Sequence, residues 1–181
     1  MQIRPAEDHD VVKLAELHIA SWRLAYREAL SPEYLQDQVV SDRHTHWQKI
    51  MHEPLPGQQV LIAEQNQRML GFVCFYLNES AEWGSYIHNL HVAEAEHGKG
   101  VAAQLMLAAA TICLQACGDG GLYLWVLQSN VRAQRFYQKC GGLRADSEIW
   151  HAPGGTEAAT DRYYWGSTAS LISALQQANT R

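Results

Sequence analysis

At 181 residues, 47% hydrophobic and only 18% charged, the chain is long enough to bury one sizeable core and too apolar to be a disordered polymer. Its 14 Lys plus Arg against 19 Asp plus Glu leave a formal charge of −5, which excludes a basic protein that coats nucleic acid. No apolar run approaches the roughly 20 residues of a membrane helix, and Met1 to Asp10 lacks the basic-then-apolar order of a signal peptide, so a soluble cytoplasmic protein with no membrane partner is expected.

In chain order, Gln2 to Pro5 reads as a strand, and Asp8 or Asp10 as the cap of a helix with Val11, Leu14, Ala15, His18, Trp22 and Ala25 on one face. Ser31-Pro32-Glu33 is a second helix start, and Ser41-Asp42 a further cap before Trp47, Ile50 and Met51. Pro54 to Gly57 ends this helical third. Val60 to Glu64 and Leu70 to Leu77 then form a hairpin across Gln65-Asn66-Gln67, Asn78 to Gly84 is a polar loop, and Tyr86 to Val92 is a strand. A helix follows Gly98 and stops at Gly118. After it come a buried-type strand, Leu122 to Leu127, a helix capped by Asn130 and ended by Gly141-Gly142, and two strands, Ala145 to His151 and Asp161 to Trp165. This order predicts a mixed sheet in one α/β domain. The tail from Ser167 to Arg181 carries a short apolar stripe, Leu171, Ile172 and Leu175, suited to a docked or dimer-covering helix.

Two residue types raise a metal or redox role. The cysteines at 74, 113, 117 and 140 form no CxxC pair and are too few for a disulfide framework, so reduced, mostly buried thiols are expected. The nine histidines are scattered, and the closest sets, His44 with His46 and His88 with His91, lack an HExxH context, so no metal is assigned.

The segment that carries chemistry runs from Leu90 through His97-Gly98-Lys99-Gly100-Val101-Ala102-Ala103, a strand emptying into a glycine-rich helix start. Free N–H groups and the positive end of a helix dipole bind phosphate there, glycines let it approach, and Lys99 adds a cation. A nucleotide P-loop is excluded, because neither its first glycine nor its hydroxyl is present. The relaxed dinucleotide form GxGxxA does fit, but the acidic residue expected after the next strand is replaced by Leu127 and Gln128. A purely structural turn is the third reading.

Asn130-Val131-Arg132-Ala133-Gln134-Arg135-Phe136-Tyr137, followed by Gly141, decides among them. Together with His97 to Ala102 it resembles the GNAT superfamily of N-acetyltransferases, and Trp22 to Pro32 and Arg162-Tyr163 are similar to the first helix and last strand of one common subgroup. The resemblance covers nearly all of residues 1–166, leaving 167–181 as a tail or short helix. It implies a mostly antiparallel twisted sheet of about seven strands with a splayed parallel pair, flanked by helices. It also implies acetyl-CoA as co-substrate, held by Leu90, His91, Val92, His97, Gly98, Lys99, Gly100, Val101, Ala102, Ala103, Asn130, Ala133, Phe136 and Tyr137.

The implied reaction is acetyl transfer to a primary amine of a small molecule or peptide by direct attack, with Tyr137 as acid toward the leaving thiolate. Trp22, Tyr26 and Glu28 are the implied acceptor-binding residues, with Trp150 and Tyr163 opposite. A homodimer is also in keeping with the resemblance. The departures are specific. His97 replaces the family's Arg or Gln, so one pyrophosphate donor is weaker. Tyr86 and Trp125 stand where a glutamate base is common, which makes His88 the best remaining base candidate, with His91 and Glu82 behind it. Gly142 stands in place of a common aromatic residue, which implies looser packing beneath the site. These departures also admit a non-catalytic acyl-CoA-binding module.

Overall fold

The structure is a computed structural model that describes residues 1–179; the last two residues of the expected tail lie outside the described residues. Seven strands form one sheet in the order β1-β2-β3-β4-β5-β7-β6. They are β1 (Gln2–Pro5), β2 (Gln58–Gln65), β3 (Arg68–Ser80), β4 (Gly84–Val92), β5 (Leu122–Leu127), β6 (Leu143–His151) and β7 (Glu157–Trp165). Every neighbouring pair is antiparallel except β4 with β5. The helices are α1 (Val11–Ala25), α2 (Val39–His52), α3 (Val101–Cys117), α4 (Val131–Lys139) and α5 (Thr168–Asn179).

Strand alternation explains the layering. Leu61, Ala63, Val73 and Phe75 point to one side, into a core shared with α3 and α5, while Ile62, Phe72 and Cys74 point to the other, against α1 and α2. Fully burying a Phe or Leu of this kind contributes about 2 kcal/mol. The apolar stripe of α5 is used inside the chain, with Leu171 and Leu175 buried in the α3-side core. Cys74, Cys113 and Cys140 are buried free thiols, and Cys117 is exposed. No helix among the described residues is long and apolar enough to cross a membrane.

Three local expectations are corrected. Ser41-Asp42 starts no helix, because a π turn over Tyr34–Gln38 runs straight into α2; Ser41 donates its hydroxyl to the Gln38 carbonyl, and Asp42 accepts from the Tyr34 phenol. The true cap is Ser31, whose Oγ accepts from the Tyr34 N–H at 3.1 Å. Asp10 stands at the start of α1, but its carboxylate turns back to Arg4 at 2.7 Å and to the Glu7 N–H at 2.9 Å, stapling β1 to the turn before the helix. The polar loop expected over 78–84 is largely strand. Asn78 bends β3 at φ 49°, its N–H donating to Ser85 Oγ, and pairing resumes at Ser80 with Gly84.

Candidate active site

β4 and β5 touch only through Ser85 with Leu122, Tyr86 with Tyr123, and Ile87 with Leu124. Beyond that point β4 stays with β3 and β5 stays with β7, so the two strands part. The register of β3 reinforces the parting: Phe75 pairs with Ile87 and Cys74 with Asn89, which leaves His88 as the extra residue of a β-bulge. A groove of about 470 Å³ opens in the wedge. Along it, the β5-facing backbone groups of Leu90 and the Val92 N–H have no strand partner, while His91 turns its backbone groups to β3, the arrangement that receives an extended amide chain as an added strand.

At the far end of β4, Gly98 and Gly100 adopt φ of 79° and 82°, a left-handed conformation that side chains resist. Gly100 caps α3 with no side chain, and the N–H groups of Val101, Ala102 and Ala103 take no acceptor among the described residues. A Cβ built on Gly98 meets nothing within 4 Å, so this glycine serves conformation and the open groove rather than a crowded neighbour. Unpaired N–H groups on a helix dipole with free space before them fit a phosphate.

The cations are distributed differently from the expectation. Lys99 pairs with Glu96 at 3.3 Å, a carboxylate that also takes Arg68, and Lys99 is absent from the groove wall. Arg132 reaches across from α4 instead, with Nη1 2.5 Å from His97 Nδ1 and Nη2 3.0 Å from Nε2. His97 Nε2 lies 3.0 Å from the Val92 carbonyl. That contact makes Nε2 the donor, so Arg132 bonds the ring through Nδ1 alone; the imidazole is engaged within the protein, and Arg132, with Lys139 further along α4, supplies the cations on the groove wall. Sequence reasoning passed over Arg132. The signal was present, because a cation in the first turn of a helix opposes the dipole and calls for a compensating role.

Asn130 accepts the Ala133 N–H at 3.1 Å and also lines the groove, as do Ala133, Phe136 and Tyr137. Burial pushes the Tyr137 phenol above its ordinary pKa, with Tyr26 a lesser influence; the hydroxyl therefore stays protonated. Beneath it the packing is tight. A Cβ on Gly142 would sit 2.6 Å from the Trp165 indole, so Trp165 occupies the space of the absent aromatic, correcting the expected looseness.

The structure thus brings His88, Leu90, His91, Val92, His97, Gly98, Gly100, Val101, Ala102, Ala103, Asn130, Ala133, Phe136, Tyr137 and Tyr26 onto one groove, and leaves Lys99, Trp22 and Glu28 off its wall. Trp22 is 5% exposed, and the Arg43 guanidinium already covers its ring at 4.3 Å. Glu28 is exposed beyond the end of α1. Across the sheet, Arg162 likewise lies over Trp83 at 4.4 Å and Trp125 at 4.5 Å. The His91 imidazole packs against α1, where Ser21 Oγ, itself on the groove wall, is 2.6 Å from Nδ1.

Residues 14–142 match the model of the acetyltransferase (GNAT) family. The chain belongs to that family. It is 28% identical over 145 residues to Probable N-acetyltransferase Rv2775 of Mycobacterium tuberculosis, covering 77% of this chain and 78% of that protein. Among solved structures, a GCN5-related N-acetyltransferase from Rhodopseudomonas palustris superposes with a TM-score of 0.71 at 19% identity, covering 91% of this chain and 94% of that one. The PaiA N-acetyltransferase of Thermoplasma acidophilum, solved in complex with coenzyme A, gives 0.65 at 19% identity over 90% of this chain and 98% of that one. Acyl transfer is therefore the chemistry of this fold and family, and the dinucleotide reading of the glycine turn is set aside.

Proposed function

We propose that this member transfers an acetyl group from acetyl-CoA to a primary amine of a small molecule or peptide by direct attack. The observation that carries the reading is the single groove in which unpaired β4 backbone, the open N-terminus of α3 and the Tyr137 phenol converge. Acetyl-CoA supplies the activated thioester. Val101, Ala102 and Ala103, with Arg132, hold its pyrophosphate; Leu90 and Val92 hold its amide chain through their backbone. A backbone N–H in the same stretch polarises the thioester oxygen. Tyr137 keeps its proton available to the sulfur as the carbon–sulfur bond breaks, and His88, on the bulge at the groove's inner end, takes the proton of the acceptor ammonium. We place the protein in the cytoplasm, where acetyl-CoA is made and used.

The test is release of CoA thiol from acetyl-CoA against polyamines, amino acids and peptides, in the wild type and in Tyr137→Phe. Turnover with at least one amine, and a loss of about 100-fold in kcat in the variant with the CoA dissociation constant held within about twofold, is the expected result. A wild type that binds CoA and acetylates nothing in the panel selects the non-catalytic acyl-CoA-binding module, the reading that Tyr86 and Trp125 at the usual glutamate positions favour.

A further inference from the structure

Four of the five buried side-chain polar atoms that find no partner among the described residues belong to one cluster: His18 Nε2, Arg43 Nε, His46 Nε2 and Asn89 Oδ1. Native proteins leave few such atoms, and rarely together. The histidine rings lie close together, and Asn89 pairs with Cys74 on the same α1–α2 side of the sheet. The His18 ring is 4.5 Å from that of His91 and 6.0 Å from that of His46, and His46 is 6.2 Å from His88. Asn89 adjoins His88 on the bulge. His18 Nδ1 accepts from the Trp47 indole at 3.1 Å, which leaves Nε2 as a donor; Arg43 Nε is a donor and Asn89 Oδ1 an acceptor. His18 is fully buried and Arg43 is 8% exposed, whereas His46 is half-buried and His88 is exposed where it lines the groove. Unsatisfied donors and acceptors thus run together between the groove and the α2 surface.

Resting on the acetyltransfer reading, we propose that His46 is the second station of a proton exit, receiving from His88 the proton taken off the acceptor ammonium and delivering it to solvent past α2. The balance is complete. The ammonium N–H bond breaks, its proton goes to His88, then His46, then water, and the freed lone pair attacks the thioester. The second proton lost from nitrogen compensates the one that Tyr137 gives to sulfur, so amide, thiol and one solvated proton are the products.

The surroundings suit passage rather than storage. α1 brings His18, α2 brings Asp42 and Arg43, β3 brings Cys74 and Tyr76, and β4 brings Tyr86 and His91. Burial, then the Arg43 charge and His88, lowers the His46 pKa to about 4, with Asp42 opposing; burial and Arg43 lower that of His88. A proton arriving on either imidazole is therefore passed on.

The test compares His46→Gln and His46→Asn with wild type in kcat/KM against pH, using an amine found to be turned over, with a CoA-induced thermal shift as the check on folding. The expected result is a loss of about tenfold near pH 7 that narrows as pH rises and the free amine needs no exit. Added imidazole restores part of the rate, and the CoA shift is unchanged. Variants whose profiles run parallel to or coincide with wild type, and that imidazole does not rescue, overturn the relay while leaving acetyl transfer standing. Should both fail the CoA-shift check, His88→Gln takes their place, and a parallel profile there overturns the relay equally. A wild type that acetylates no amine overturns both.

Discussion

The two halves of the groove are specified by different parts of the chain. The half proposed for the cofactor is drawn in backbone: a strand that loses its partner after Ile87, two left-handed glycines and a helix start with free N–H groups. The half proposed for the acceptor, between α1, α2 and the β4 bulge, is drawn in side chains, with the Arg43 guanidinium laid over Trp22 and four imidazoles from three elements. A backbone site needs only a few residue types at fixed spacing, so it persists with little side-chain chemistry and little net charge. A side-chain site depends on what the fold brings together, and it carries desolvated titratable groups that make it sensitive to acid.

That difference gives its largest expected effect in acid. Burial lowers the pKa of His18, and it lowers that of His91 to about 3, in both cases ahead of neighbouring charges, whereas the unfolded chain protonates near 6.5. Below about pH 6.5 the unfolded state therefore binds protons that the folded state refuses. Stability falls as pH drops, down to the folded values. The two imidazoles together are expected to remove about 2 to 3 kcal/mol per pH unit between about pH 6 and 4, read as a falling Tm, with amides of α1 and α2 losing exchange protection before those of α3 and α4. A Tm flat from pH 7 to 4.5, or loss of protection led by α3, breaks the comparison.

On the backbone side, Gly98→Val is expected to raise the acetyl-CoA dissociation constant about 30-fold. The new Cβ meets nothing in the protein, so the cost to the free fold is confined to the left-handed backbone, about 1 to 2 kcal/mol, while the side chain projects into space the phosphates need. Calorimetric titration with CoA, beside a melting curve, separates the two terms. Unchanged affinity would mean that the phosphate lies elsewhere.

The same division governs what could be read from the amino acids. The Asn130 cap, the Gly118 stop and the turn at Asn66-Gln67, with φ of 51° and 61°, follow from local backbone rules and stand where the pattern put them. Ser41-Asp42 shows the limit, since a good capping pair was claimed by partners that only packing supplies, Tyr34 and Arg43. His88 and His91 make the point more sharply. Three residues apart on a regular strand they would face opposite sides; the bulge resets the alternation, and both rings join the α1–α2 face with His18 and His46. No spacing rule shows that. Trp22 was legible as an aromatic beside the site but not as one already covered by the chain's own cation.

Arg132→Ala is expected to weaken acetyl-CoA binding about tenfold and to flatten its salt dependence. Acetyl-pantetheine, which lacks the phosphates, should be used by the variant as by the wild type. Equal losses for both donors would mean that Arg132 supports the fold of α4 rather than the pyrophosphate.

Lys99→Ala carries the smallest expected effect and the finest discrimination. Lys99 lies inside the motif, yet its ammonium sits 3.3 Å from Glu96 with 61% of the side chain exposed, and a pair of that kind contributes at most about 1 kcal/mol. Its removal leaves Glu96 with Arg68, so acetyl-CoA affinity should change by less than about twofold. If the loss instead equals that of Arg132→Ala, Lys99 must leave Glu96 when the phosphates arrive, and the cofactor half would then depend on side-chain rearrangement as much as the acceptor half does.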